Sequence, residues 1–185
     1  MTKPFKTQPK AIRDQCKSDR ERLFDEFVVA RYQALRRTAY LLCGDWHQAE
    51  DLVQIALEKV FASWHRMRDP GAVDTYTRRV MIRGFLDTKR LRSSREFPTA
   101  TLPDPPDAPG HDADSARRLA LLAALGRVSP GYRAVLVLRY WEDQSVEETA
   151  ALLGRSSTAI RSAASRGLDQ LRTILGESLI DIAHS

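Results

Sequence analysis

A chain of 185 residues with a formal net charge of +5 has room for one large domain or two small ones, and its basic balance favours a polyanionic partner. Two cysteines, Cys16 and Cys43, are too few and too badly placed for a disulfide framework or a zinc site, and Cys43, in the run Tyr40-Leu41-Leu42-Cys43, suits a small buried hydrophobe. No stretch reaches the roughly 18 apolar residues of a membrane span, and the start lacks the apolar core of a signal peptide, so a cytoplasmic protein with no membrane insertion is expected.

In chain order, residues 1–20 carry Lys3, Lys6, Lys10, Arg13, Lys17 and Arg20 and read as a disordered basic tail, either simply solvated or in contact with phosphate. A first helix follows, with Leu23, Phe24, Phe27, Val28, Leu35, Ala39 and Leu42 on one face. Gly44 ends it, and Asp45 is placed to cap a second helix with Gln48 at the third helical position. The second helix carries a broad apolar stripe of Leu52, Val53, Ala56, Leu57, Val60, Phe61 and Trp64. Arg68-Asp69-Pro70-Gly71 reads as the turn that stops it. A third helix is expected from about Ala72 to Arg92, with Tyr76, Val80, Phe85, Leu86 and Leu91 as apolar contacts. From Pro98 to Ala116 five prolines and a glycine preclude a continuous helix, and Asp104, Asp107, Asp112 and Asp114 give this stretch a one-sided acidity. It is either a soluble spacer or a segment that occupies a basic channel on a partner.

Beyond this joint, Leu119–Leu125 starts a fourth helix, and Ser129-Pro130 signals the start of a fifth, with Val135, Leu136, Leu138, Tyr140 and Trp141 as core. Ser145 and Glu148 have capping-box spacing, Gly154 suits a left-handed C-cap, and Ser156 or Ser157 can cap a longer helix. Two helices joined by a short glycine-containing turn outline a helix-turn-helix, whose second helix enters the DNA major groove. The expected fold is therefore all-α: two small helical domains, residues 21–96 and 117–177, joined by a linker at 97–116 and followed by a tail at 178–185.

Three faces carry candidate chemistry. On the last helix, Ile160, Ala164, Leu168 and Leu171 turn toward the core, while Thr158, Arg161, Ser162, Ser165 and Arg166 share another face. Short hydroxyls let the backbone approach the groove, and arginine can hold guanine bidentately or clamp phosphate; an ordinary solvated face has a similar pattern. On the third helix, Arg78, Arg79, Arg83, Lys89, Arg90, Arg92 and Arg95 stand with Tyr76 and Phe85 against the single acid Asp87. Charge interleaved with rings suits single-stranded nucleic acid, although either ring alone also suits the core. On the second helix, Glu50 and Asp51 sit near the start, where acids favour the helix dipole, and Asp51, Gln54 and Glu58 form one polar face, either solvated or a protein-docking surface.

With these segments in this order, the chain resembles an extracytoplasmic-function sigma factor of the sigma-70 family, the promoter-recognition subunit of bacterial RNA polymerase, over about Leu23 to Leu175. Ala49–Trp64 is similar to region 2.2, Tyr76–Arg92 to regions 2.3 and 2.4, and the two blocks SPGYRAVLVLRYWEDQSVEETAALLG and TAIRSAASRGLDQLR to region 4. The ending ASRGLDQLR is similar to the SigE-like subgroup common in actinobacteria. The resemblance implies core RNA polymerase (β′ clamp and β flap) and promoter DNA as partners, in many members also an anti-sigma factor, and no cofactor or metal. It implies −35 contacts by Arg161, Ser162, Ser165 and Arg166, a backbone contact by Arg139, and clamp contacts by Asp51 and Gln54. It places −10 melting and reading on the helix of Tyr76, Arg78, Arg79, Arg83, Lys89 and Arg90, and the linker in the path toward the polymerase active centre. Three positions depart from the family pattern: Ala163 where many members carry Arg, Ile55 where Glu is usual, and Arg83 where many carry Asn.

A second reading from the residues is a free-standing helix-turn-helix regulator, which would bind a palindrome as a dimer. An enzyme is disfavoured, because His47, His65, His111 and His184 are scattered without metal spacing and no nucleophile motif or phosphate loop occurs.

Overall fold

The computed structural model describes residues 10–66, 70–93 and 113–183. Among these residues every element is helical: α1 Lys10–Cys43, α2 Trp46–Ser63 with a 3₁₀ turn at Trp64–Arg66, α3 Pro70–Ser93, α4 Ala113–Arg127, α5 Pro130–Leu136 with a π turn at Val137–Trp141, α6 Val146–Leu153 and α7 Ser157–Ala183. None of these helices is long and apolar enough to cross a membrane. Of the expected linker, residues 97–112 lie outside the described residues, as does the stretch that would hold Arg95.

The helix ends follow local chemistry. Gly44, at φ 74°, closes α1 with a bond from its N–H to Tyr40 O at 2.7 Å, and Asp45 then accepts from Gln48 N at 2.8 Å to cap α2. Several helices run past their expected bounds. Residues 10–20 extend α1 rather than forming a disordered tail; the stretch 10–22 contains no proline or glycine, and its acids alternate with bases, as in Arg22 paired with Asp19 and Glu26. Pro70 opens α3 instead of stopping α2, since proline at a first helical position lacks only a donor the helix does not use. α4 begins at Ala113, ahead of Leu119, and α7 continues through the expected tail to Ala183.

The helices α1, α2 and α3 enclose Leu35, Ala39, Leu42, Cys43, Ala49, Leu52, Val53, Ala56, Met81, Ile82 and Phe85. The packing at Gly84 is tight, because a Cβ there would lie 3.0 Å from Leu52 Cδ1. Phe24 packs at a tilt against Phe61 and edge-on against Trp64 at one end, with ring centroids 4.9 and 5.2 Å away, while Leu23 remains exposed rather than joining this face. In the second group, Val135 meets Ala150, Ile160, Ala163 and Ala164 of the helix-turn-helix.

These groups share a core. Ala134, Val137, Leu138 and Leu152 belong to the same buried cluster as the α1–α3 residues. The cause is α5, whose run Ala134–Leu138 is apolar on every side and is covered by α7 on one side and α1 and α3 on the other. Tyr140 and Trp141, expected in this core, are exposed, because the π turn rotates the end of the helix outward; Leu91 near the end of α3 is exposed too.

Candidate nucleic-acid and polymerase interfaces

The helix-turn-helix is fixed by its caps. Ser145 Oγ accepts from Glu148 N at 3.0 Å while Glu148 Oε2 accepts from Ser145 N at 2.7 Å, which completes the capping box. These bonds hold the Glu148 carboxyl below its usual pKa, with a smaller contribution from Arg78. Gly154 at φ 64° turns the chain, and Ser156 Oγ accepts from Ala159 N at 3.2 Å to start α7. The turn thus orients α7 so that Ile160, Ala163 and Ala164 are buried, while Thr158, Arg161, Ser162, Ser165 and Arg166 are exposed together. Arg161 touches Glu147 at 3.3 Å with its side chain 62% exposed, so its guanidinium remains available. Ala163 is a core position, which removes it from the exposed face. Arg139 stands apart from this face, half-buried, donating to Gln144 O with its guanidinium 6.0 Å from the Tyr140 ring.

Helical geometry splits the charges of α3 into two stripes. Arg79, Arg83 and Arg90 share one; Arg83 and Arg90 are exposed, while Arg79 is half-buried with one guanidinium nitrogen 3.5 Å from Ala151 O. Arg78 and Lys89 fall on the other, in line with the buried Ile82 and Phe85, and Lys89 Nζ lies 6.0 Å from the Phe85 ring centre. Arg78 is only 16% exposed and pairs with Asp74 at 2.5 Å and Glu142 at 2.7 Å. Tyr76 is half-buried with its hydroxyl 3.5 Å from Ser63 Oγ. The dense positive run of the sequence is therefore an open stripe and a covered one.

On α2, Asp51, Gln54 and Glu58 are exposed on one face, Gln54 donating to Glu58 at 3.3 Å, with the exposed Ile55 among them. Glu50 does not serve the helix dipole: it lies beyond the first turn and binds Arg36 of α1 at 2.8 Å. The sequence pattern missed Arg133, which is 5% exposed and lies in the protein interior. Its guanidinium donates to Leu42 O at 2.7 Å, Val128 O at 3.0 Å and Gly126 O, joining the end of α1 to the corner between α4 and α5. Burial lowers its pKa to about 10, so it stays charged at neutral pH.

Two family models match in the order the structure suggests. Residues 27–95 match sigma-70 region 2, and residues 118–171 match sigma-70 region 4. The chain belongs to the sigma-70 family.

Within that family it is 41% identical over 151 residues to the RNA polymerase sigma-E factor of Streptomyces coelicolor, covering 80% of this chain and 84% of that one. It is 34% identical over 170 residues to the ECF RNA polymerase sigma factor SigE of Mycolicibacterium smegmatis, covering 88% and 65%. The fold is similar to that of the sigma factor RpoE of Bartonella quintana, solved with the anti-sigma factor NepR, at a TM-score of 0.67 and 24% identity over 83% of this chain and 96% of that one. This sigma factor is of the extracytoplasmic-function type, binds core RNA polymerase and promoter DNA, and acts in transcription initiation.

Proposed function

We propose that this sigma factor divides the promoter between its two basic surfaces. The exposed face of α7 reads the −35 duplex, with Arg161 and Arg166 on base edges or phosphates, and with Thr158, Ser162 and Ser165 allowing close approach. Arg139 supports the adjacent backbone. On α3 the open stripe of Arg83 and Arg90, with Arg79 and Tyr76 beside it, captures bases unstacked at the −10 element, and Arg78 and Lys89 join that surface once their covered stripe is freed. Asp51, Gln54 and Glu58 dock on the β′ clamp, and residues 117–177 reach the β flap. Residues 21–96 thus form the clamp and −10 unit, and 97–116 connect it to the −35 unit. The protein performs no catalysis of its own and works in the cytoplasm. An anti-sigma partner fits the fold's likeness to the Bartonella quintana sigma factor, which was solved bound to one.

The observation that carries this assignment is the separation of faces on α7. Ile160, Ala163 and Ala164 are buried, whereas both guanidinium groups and the hydroxyls between them face outward. A regulator acting alone would require no second basic helix and no acidic docking face. The test is initiation by core polymerase with the Arg161→Ala/Arg166→Ala double variant. It should lower initiation from a −10/−35 promoter, with each arginine contributing roughly 1–3 kcal/mol, and leave polymerase binding unchanged. Unchanged initiation would show that another face reads the −35 element.

A further inference from the structure

One carboxylate at the junction of the two helical groups is explained by neither promoter element nor by the core. Glu142 lies in the turn between α5 and α6, yet its side chain, 13% exposed, reaches α1 and α3. One of its oxygens accepts from Arg78 Nε at 2.7 Å, and the other accepts a short bond from Thr38 Oγ1. Arg78 also pairs with Asp74 at 2.5 Å, and Asp74 with Arg31 at 2.6 Å, so Glu142 closes a chain of charges across three elements. The turn that aims it is firmly held. Asp143 adopts φ 49°, a left-handed backbone that side chains other than glycine rarely take. Gln144 donates from its N–H to Leu138 O at 3.0 Å and from its side chain to Glu142 O at 3.1 Å, and Arg139 donates to its carbonyl.

We propose that Glu142 is a built-in competitor for DNA at the −10 surface. Its carboxylate takes the place on Arg78 that a phosphate would take, and it holds α5 and α6 against α1 and α3. The resting chain is then closed, with the −35 face on α7 open and part of the −10 surface covered. Promoter capture requires exchange of one anionic partner of Arg78 for another, and the apparent affinity of the free chain falls by the fraction of molecules that are open. This inference rests on the assignment of α3 to the −10 element.

The test uses the full chain in a Cys16→Ser background, with spin labels on Ala34→Cys in α1 and Thr173→Cys in α7, both exposed positions. Glu142→Gln should lengthen the distance between the labels and raise affinity for a fluorescent mixed-sequence single-stranded DNA by roughly tenfold. Thr38→Val, which removes only the hydroxyl donor, should act in the same direction and more weakly, and answers the question if Glu142→Gln fails to fold in thermal melts. A folded variant with unchanged distance, or one that opens without gaining affinity, overturns the proposal. Arg83→Gln distinguishes failure of this switch from failure of the α3 assignment: it should weaken DNA binding with the label distance unchanged, and if it leaves DNA binding intact the α3 assignment itself fails.

Discussion

Arg133 shows how much one side chain holds in place. Its guanidinium satisfies carbonyls at the ends of two helices, Leu42 O on α1 and Gly126 O on α4, and a third at Val128. Removing it leaves these buried acceptors without donors, a penalty larger than the net gain of ordinary hydrogen bonds. Arg133→Ala should therefore destabilise the chain by about 3 kcal/mol in urea unfolding, and Arg133→Lys, which keeps the charge but not the fork of donors, should lie between. In sequence Arg133 follows Tyr132 and precedes an apolar run, and nothing distinguishes it from a surface arginine. Only the docking of α5 between α1 and α7 makes it interior. By contrast, Arg161 and Arg166 were legible as exposed, since the spacing of Ile160 and Ala164 fixes which side of α7 faces in.

At the scale of elements, the helix-turn-helix rests on one close approach and one titratable cap. Gly167 packs α7 onto α5 so tightly that a Cβ would lie 3.1 Å from Leu136 Cγ and 3.2 Å from Tyr132 Cβ. Gly167→Ala must push α7 away from α5, and a loss of about 1–3 kcal/mol is expected in the same unfolding measurement. The Glu148 carboxylate is stabilised by its bonds to Ser145, so its pKa is lowered on folding. That contribution is present above the ordinary Glu range and is lost as pH falls through the lowered folded value. Glu148→Gln keeps the capping geometry but cannot titrate, so its melting temperature should fall less than that of the parent chain between neutral and acidic buffer. Caps were legible in the sequence because they are local: Asp45, Ser145 and Gly154 act on backbone groups a few residues away. Helix lengths were less so. Charged stretches without proline or glycine, such as residues 10–20, have no apolar period to mark them as helix. The π turn also reverses the expected burial of Tyr140 and Trp141 with no sequence signal.

For the molecule as a whole, the two helical groups expected from the sequence are present, matching sigma-70 regions 2 and 4, and the structure adds that they close on a common core. That addition arises at α5, where a run apolar on every side is read correctly as core but does not reveal that two different neighbours bury it. The covered Arg78 follows from the same docking, whereas Arg83 and Arg90 stay open. Under the proposed division of the promoter, core polymerase would have two tasks: to offer the α2 face a docking site, and to separate the groups so that each reaches its own promoter element. If this chain gives a bare transcribing enzyme its start sites, run-off transcription with purified core polymerase on genomic DNA should yield discrete transcripts, dependent on the added chain, whose start points share a −35 and a −10 element. Transcripts no different from those of core polymerase alone would mean that the chain selects no promoter.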